Sequence, residues 1–221
     1  MSDVNVQLVR ECFELNHFRV MTHWQHDSGR PRSSDSGFQL YVESTAPVPD
    51  AEPDFVLRPG DIPAIQRAAV EVRAWHAERF YASVIESNPV LLQVAEATSL
   101  ARAAEVFDGA AFTTVLVISE LPTSPEPRQR AVDLLKGVGI GHVLEFPVLV
   151  QDVLERLNAH ASYAPSHTLQ TLRLLKRYKF IRRQQLEFAF PTEPPSAAQP
   201  PHVETASSST DKGADDADAP D

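Results

Sequence analysis

Cysteine is nearly missing from this chain: Cys12 is the single one among 221 residues. No intramolecular disulfide can form, so packing alone must hold the fold. Long apolar runs are missing too, and no stretch approaches the ~18 apolar residues of a membrane span. The opening MSDVNVQLVRECFELN carries acids early and lacks a basic segment followed by an apolar one, so it does not read as a signal peptide. Phosphate-cradling glycine loops are also lacking. Gly137, Gly139 and Gly141 follow a predicted helix and precede a predicted strand, the reverse of a dinucleotide fingerprint. They suit a helix C-cap and turn. These absences predict a protein of a reducing cytoplasm with no membrane partner. They leave little support for a cofactor-dependent small-molecule enzyme.

What is present is ordinary for a globular domain: 43% apolar and 23% charged residues. The net charge of −10 is unevenly spread. Residues 191–221 hold seven acids and one lysine, which is −6 of that total, in a Pro-, Ser- and Ala-rich setting. Such a segment cannot bury enough apolar surface to offset its ordering entropy, and it is expected to be a disordered acidic tail. The expected organisation is an α/β domain over 1–160, a basic C-terminal helix over 161–190 packed on or beside it, and the tail over 191–221.

Hydrophobic periodicity sets the elements. Val4, Leu8, Cys12 and Leu15 mark an amphipathic helix. Strands are predicted at 18–24, 38–43, 54–58 and 68–75, the last looking central. Residues 89–107 read as a helix with Pro89 in its first turn. FTTVLVIS at 112–119 reads as a strand covered on both faces. A helix at 125–136, a strand at 142–146 and a helix at 148–158 follow. Strand, helix, strand at this spacing is a βαβ unit, so the two strands are expected to be parallel. A final helix at 167–188 carries Arg173, Lys176, Arg177, Lys179, Arg182 and Arg183 against Glu187. The sum is one mixed β-sheet flanked by helices.

Chemistry, if any, concentrates at Pro53-Asp54 and Glu71-Val72-Arg73. On a strand Glu71 and Arg73 share a face while Val70 and Val72 take the other. Two polar residues inside an apolar strand need a partner. If Asp54 opens a neighbouring strand, its carboxylate and that of Glu71 converge, and they would repel unless a cation or proton lies between them. Carboxylate oxygens suit Mg²⁺ or Mn²⁺. A structural same-face pair is the competing reading of Glu71 and Arg73.

These residues, with the helix before them and the helix–strand order after, resemble the PD-(D/E)xK nuclease superfamily over roughly residues 4–146. That is the restriction-endonuclease-like fold, which includes restriction enzymes and archaeal Holliday-junction resolvases. The resemblance implies that Asp54 and Glu71 are metal ligands and that Arg73 stands where the motif has its lysine. It implies that Glu11 or Glu14 on the first helix matches an acid some members place there. A guanidinium stays protonated and cannot act as a base, so Arg73 could hold a phosphate but not activate water as lysine does. The implied function is a metal-dependent nuclease-like domain that binds, and with a competent site cleaves, DNA. The alternative is an inactive nuclease-fold interaction module that takes nucleic acid or a protein partner.

Other candidates have blander readings beside them. His76 could touch a metal-bound water or phosphate. Trp75 is expected in the core. Glu11 and Glu14 are expected on the solvent side of their helix, and Cys12 is expected as a buried thiol. His23 and His26 offer too few ligands for zinc. The basic helix could be a solvated face, a phosphate-tracking surface, or a docking site for an acidic protein. A homodimer is compatible with all of these.

Overall fold

A computed structural model describes residues 3–22, 38–46, 48 and 52–181. His23, Trp24, His26, Arg182, Arg183 and residues 191–221 lie outside the described residues. The expected disordered tail falls there, as does the expected final helix beyond 181. Within the described residues that helix is corrected: it ends at Arg177, where Lys179 turns left-handed (φ 60°), and does not run on towards 188.

The chain opens with helix α1 (Asp3–Leu15), whose Val9, Cys12 and Phe13 are fully buried on one face. Full burial of a Val or Phe side chain contributes about 1.5–3 kcal/mol. The helix stops at Asn16 and His17. His17 takes a left-handed conformation (φ 65°), and its carbonyl accepts from Thr45 N at 2.8 Å and Thr45 Oγ1 at 2.6 Å. This reversal sends the chain into β1 (Phe18–Thr22), followed by β2 (Phe38–Ser44) and β3 (Arg67–Arg73). A short helix α2 (Ala82–Ser87), a 3₁₀ segment (Pro89–Ala95) and helix α3 (Ala97–Val106) lead to β4 (Thr113–Ile118). Helix α4 (Pro125–Gly137), β5 (His142–Glu145), α5 (Phe146–Arg156) and α6 (His167–Arg177) complete the described chain.

The five strands form one mixed sheet in the order β1-β2-β3-β4-β5. The β1–β2 and β2–β3 pairs are antiparallel, while β4 is parallel to β3 and β5 is parallel to β4. The β4–α4–β5 crossover is thus the parallel unit expected from its spacing. The fold is α/β, with a five-stranded mixed sheet between helices.

The sheet has two apolar faces. Val70, Val72, Val115 and Val117 pack with Val9, Phe13, Leu149 and Val153, so α1 and α5 cover one side. Ala69, Leu116 and Ile118 pack with Leu91, Val94, Ala103 and Leu135, so the Pro89–Ala95 segment, α3 and α4 cover the other. Strand β4 reads as apolar on both faces because both are covered, and β3 does so apart from Glu71 and Arg73.

Two further expectations are corrected. Residues 54–58 are not a strand beside β3: they form a single parallel bridge, Val56 to Val143, on the outer edge of β5. The short apolar run flanked by Pro53 and Pro59 supplies too few residues to extend further. The helix expected over 89–107 is split. Glu96 is extended (φ −69°, ψ 146°) and separates the 3₁₀ segment from α3. The glycines after α4 act as expected of a helix end. Gly139 is left-handed (φ 88°), with Gly139 N and Ile140 N donating to the Lys136 and Leu135 carbonyls, both at 3.1 Å. Among the described residues no helix is long and apolar enough to cross a membrane.

Candidate functional site

Glu71 and Arg73 sit on central strand β3 and face the side covered by the Pro89–Ala95 segment and α3. Both are only 3% exposed. Arg73 Nε lies 2.9 Å from Glu71 Oε1, and Arg73 Nη2 donates to Gln93 Oε1 at 3.0 Å. Burial pushes the Glu71 carboxyl up to about 7, with the Arg73 guanidinium opposing that rise. The two residues thus share a face, as alternation requires, but that face is sealed.

Asp54 is elsewhere. Backbone register runs Glu71 to Leu116, Leu116 to Val143, and Val143 to Val56 across successive strands. Three strand spacings of ~4.8 Å put Val56 about 14 Å from the Glu71 position. Asp54 is two residues further along the same segment. Its side chain pairs with Arg58 at 2.9 Å on an exposed surface, and its carbonyl oxygen lies 3.0 Å from His142 Nδ1. It borders an open cleft of about 570 Å³ between residues 54–58 and α4. There the cations already have partners of their own. Arg128 grips Glu145 through two hydrogen bonds, at 3.2 and 2.5 Å, and the Lys136 ammonium lies 4.9 Å from the centre of the Phe55 ring. The expected convergence of Asp54 and Glu71 is corrected: the residue opposite Glu71 on β2 is Gln39.

The accessory acids separate as well. Glu11 is buried, against the expectation that it faces solvent. Gln7 Nε2 donates to Glu11 Oε1 at 2.7 Å, and Ser166 Oγ donates to the same oxygen. Ser166 Oγ also accepts from Leu169 N at 3.0 Å as the N-cap of α6. Glu11 therefore ties α6 to α1, on the sheet face opposite Glu71. Its apolar-face neighbours Val9 and Phe13 hid this placement from a periodicity reading. Glu14 is at the surface, paired with Arg10 at 2.7 Å. His76 is exposed, with its ring edge-on to Phe146 at 4.7 Å and Nε2 3.2 Å from Asn5 Oδ1. Trp75 stacks on Phe80 at 5.8 Å, as a core-packing indole should.

A second buried polar cluster escaped sequence reasoning. Asp152 on α5 accepts from Arg156 Nε at 3.0 and 3.1 Å, from Asn16 Nδ2 at 2.6 Å, and from Cys12 Sγ at 3.6 Å. Burial, then the Asp152 charge, pushes the Cys12 thiol well above its usual value, so it is a poor nucleophile. The available signal was an acid at 152 inside the stripe Leu149, Val153.

The basic residues of α6 divide. Lys176 Nζ donates to the Leu154 and Leu157 carbonyls at 2.5 and 2.6 Å, capping the end of α5, and Arg173 Nη1 donates to Ala161 O at 3.1 Å. Arg177 and Lys179 remain exposed. A continuous cationic row along the helix is therefore not formed by these four residues.

Among the described residues no three His, Cys, Asp or Glu side chains gather so as to hold a metal ion. Glu71 is a lone carboxylate already engaged by a guanidinium and sealed under helices, so the residues present do not fit Mg²⁺ or Mn²⁺. Scans of protein-family models, curated proteins and solved structures return no match to this chain.

Proposed function

We propose that this chain is a degenerate member of the PD-(D/E)xK superfamily that works by binding and not by cutting. The fold part of this reading is supported by the element order: a helix, three antiparallel strands, helices, then a strand parallel to the third. Glu71-Val72-Arg73 lies on that third strand. The observation that carries the loss of catalysis is the burial of Glu71 against Arg73 at 2.9 Å. A phosphodiester cannot reach a carboxylate that solvent barely touches, and a guanidinium cannot take a proton from water.

Calorimetric titration of the full chain with Mg²⁺ and Mn²⁺ tests this, beside nicking of supercoiled plasmid by the wild type and by Arg73→Lys. No metal heat and no nicking are expected from either protein. Metal binding that disappears in Glu71→Gln, or Mn²⁺-dependent nicking by the wild type, would restore the nuclease reading.

A further inference from the structure

Nine large apolar side chains are exposed among the described residues, and four of them crowd into residues 174–180: Leu174, Leu175, Tyr178 and Phe180. Tyr178 is 66% exposed and Phe180 is 78% exposed. Phe13, Tyr41 and Phe80, by contrast, are entirely or almost entirely buried. The two exposed rings alternate with the exposed cations Arg177 and Lys179. Aromatic rings left in water beside cations match one ligand chemistry closely: flat bases on a phosphate backbone.

The turn that carries them is well defined. Helix α6 ends at Arg177, and Lys179 is left-handed (φ 60°). Phe180 N donates to Leu175 O at 2.9 Å and Lys179 N to Lys176 O at 3.2 Å, the paired bonds of a Schellman ending. The rings are therefore displayed on a hydrogen-bonded turn, which lowers the entropy cost of ordering them on a ligand.

We infer that the end of α6 is a stacking platform for single-stranded nucleic acid, with Tyr178 and Phe180 taking bases and Arg177 and Lys179 taking phosphates. This deepens the binding-module reading by naming its partner. Duplex DNA fits less well. Reading a groove with α6 would call on a row of cations along the helix, and Arg173 and Lys176 are turned inward onto backbone carbonyls. A single strand needs only exposed π-faces and a few charges. It also tolerates a chain of net negative charge, because the contact is local.

The experiment is fluorescence anisotropy of the full chain with a labelled mixed-sequence DNA oligonucleotide, its RNA equivalent and its duplex. The same series is repeated with an acidic, leucine-rich peptide. Binding of a single strand in preference to the duplex is expected, weakening as salt rises. Tyr178→Ala and Phe180→Ala should each weaken it on the order of 10-fold, and Tyr178→Trp should preserve it. Unchanged thermal melts would separate these effects from misfolding. Tight binding of the acidic peptide with none of the oligonucleotide would overturn the inference. So would single-strand binding that is indifferent to both alanine variants. Adding Mn²⁺ keeps the two readings apart: cleavage of the bound strand would defeat the binding-module reading while leaving the platform intact.

Discussion

Two of the buried carboxylates, Glu71 and Asp152, lie on opposite sides of one sheet, and they are solvated very differently by the fold. Asp152 collects donors from three residues: the Arg156 guanidinium, the Asn16 amide and the Cys12 thiol. Glu71 has the Arg73 contact at 2.9 Å and is pushed up to about 7. Equal burial does not mean equal cost. What matters is how many dipoles replace the lost water, because a buried charge is tolerable only when its lone pairs are engaged. Asp152 sits where α1 and α5 meet and can borrow side chains from both. Glu71 sits mid-strand, where backbone bonds go to the ladder and only the covering layer can help. A residue in that setting is poorly suited to remain an ionised metal ligand.

The sharpest way to break the contrast is Arg73→Met. Removing the guanidinium leaves Glu71 buried with its main counter-charge gone and should cost about 3–5 kcal/mol at pH 8 by urea unfolding. The loss should shrink at pH 5, where Glu71 is protonated. An equal loss at both pH values would mean that charge is not the cause.

Next is the wild type's own pH dependence. The Glu71 carboxyl titrates near 7 when folded and near its ordinary 4.5 when unfolded, so the native state holds the proton more tightly. Stability therefore falls as pH rises from about 4.5 to about 7, by up to ~3 kcal/mol, and levels off above. Glu71→Gln should remove that component of the slope, measured as unfolding midpoints across the window. A slope unchanged in the variant would assign it to another group.

Asp152→Ala should cost about 2 kcal/mol, since it leaves the Asn16 amide buried without its acceptor. A result near zero would show that the α1–α5 cluster is less organising than its donor count suggests. The smallest effect is expected of Cys12→Ala, about 1 kcal/mol from lost packing. A much larger loss would give the thiol a share in holding Asp152.

Much of the fold was legible. FTTVLVIS could only be a doubly covered strand, and β4–α4–β5 followed from spacing and from the glycines after α4. The α1 helix showed in Val4, Leu8, Cys12 and Leu15, but the line it buries fully runs through Val9, Cys12 and Phe13, and Val4 is exposed. Pairing was less legible. Residues 54–58 look like a strand on local composition, and placing them next to β3 brought Asp54 to Glu71 on paper. Non-local pairing carries no local signature, because a strand's letters do not say which edge will receive it. The Gln39–Glu71 match follows from β2 being the antiparallel neighbour of β3, which is a fact of topology.

Local chemistry was enough to dictate most of the helices and strands, that a sheet would be mixed, and that Glu71 and Arg73 would share a side. Periodicity is a property of consecutive residues, so it survives without the rest of the molecule. Solvent access is a property of what arrives from far along the chain. The Pro89–Ala95 segment closing over β3, α6 docking on Glu11 through Ser166, and Lys176 turning inward to α5 were settled by packing between distant elements. It is there that Glu71 and Arg73 became part of the core.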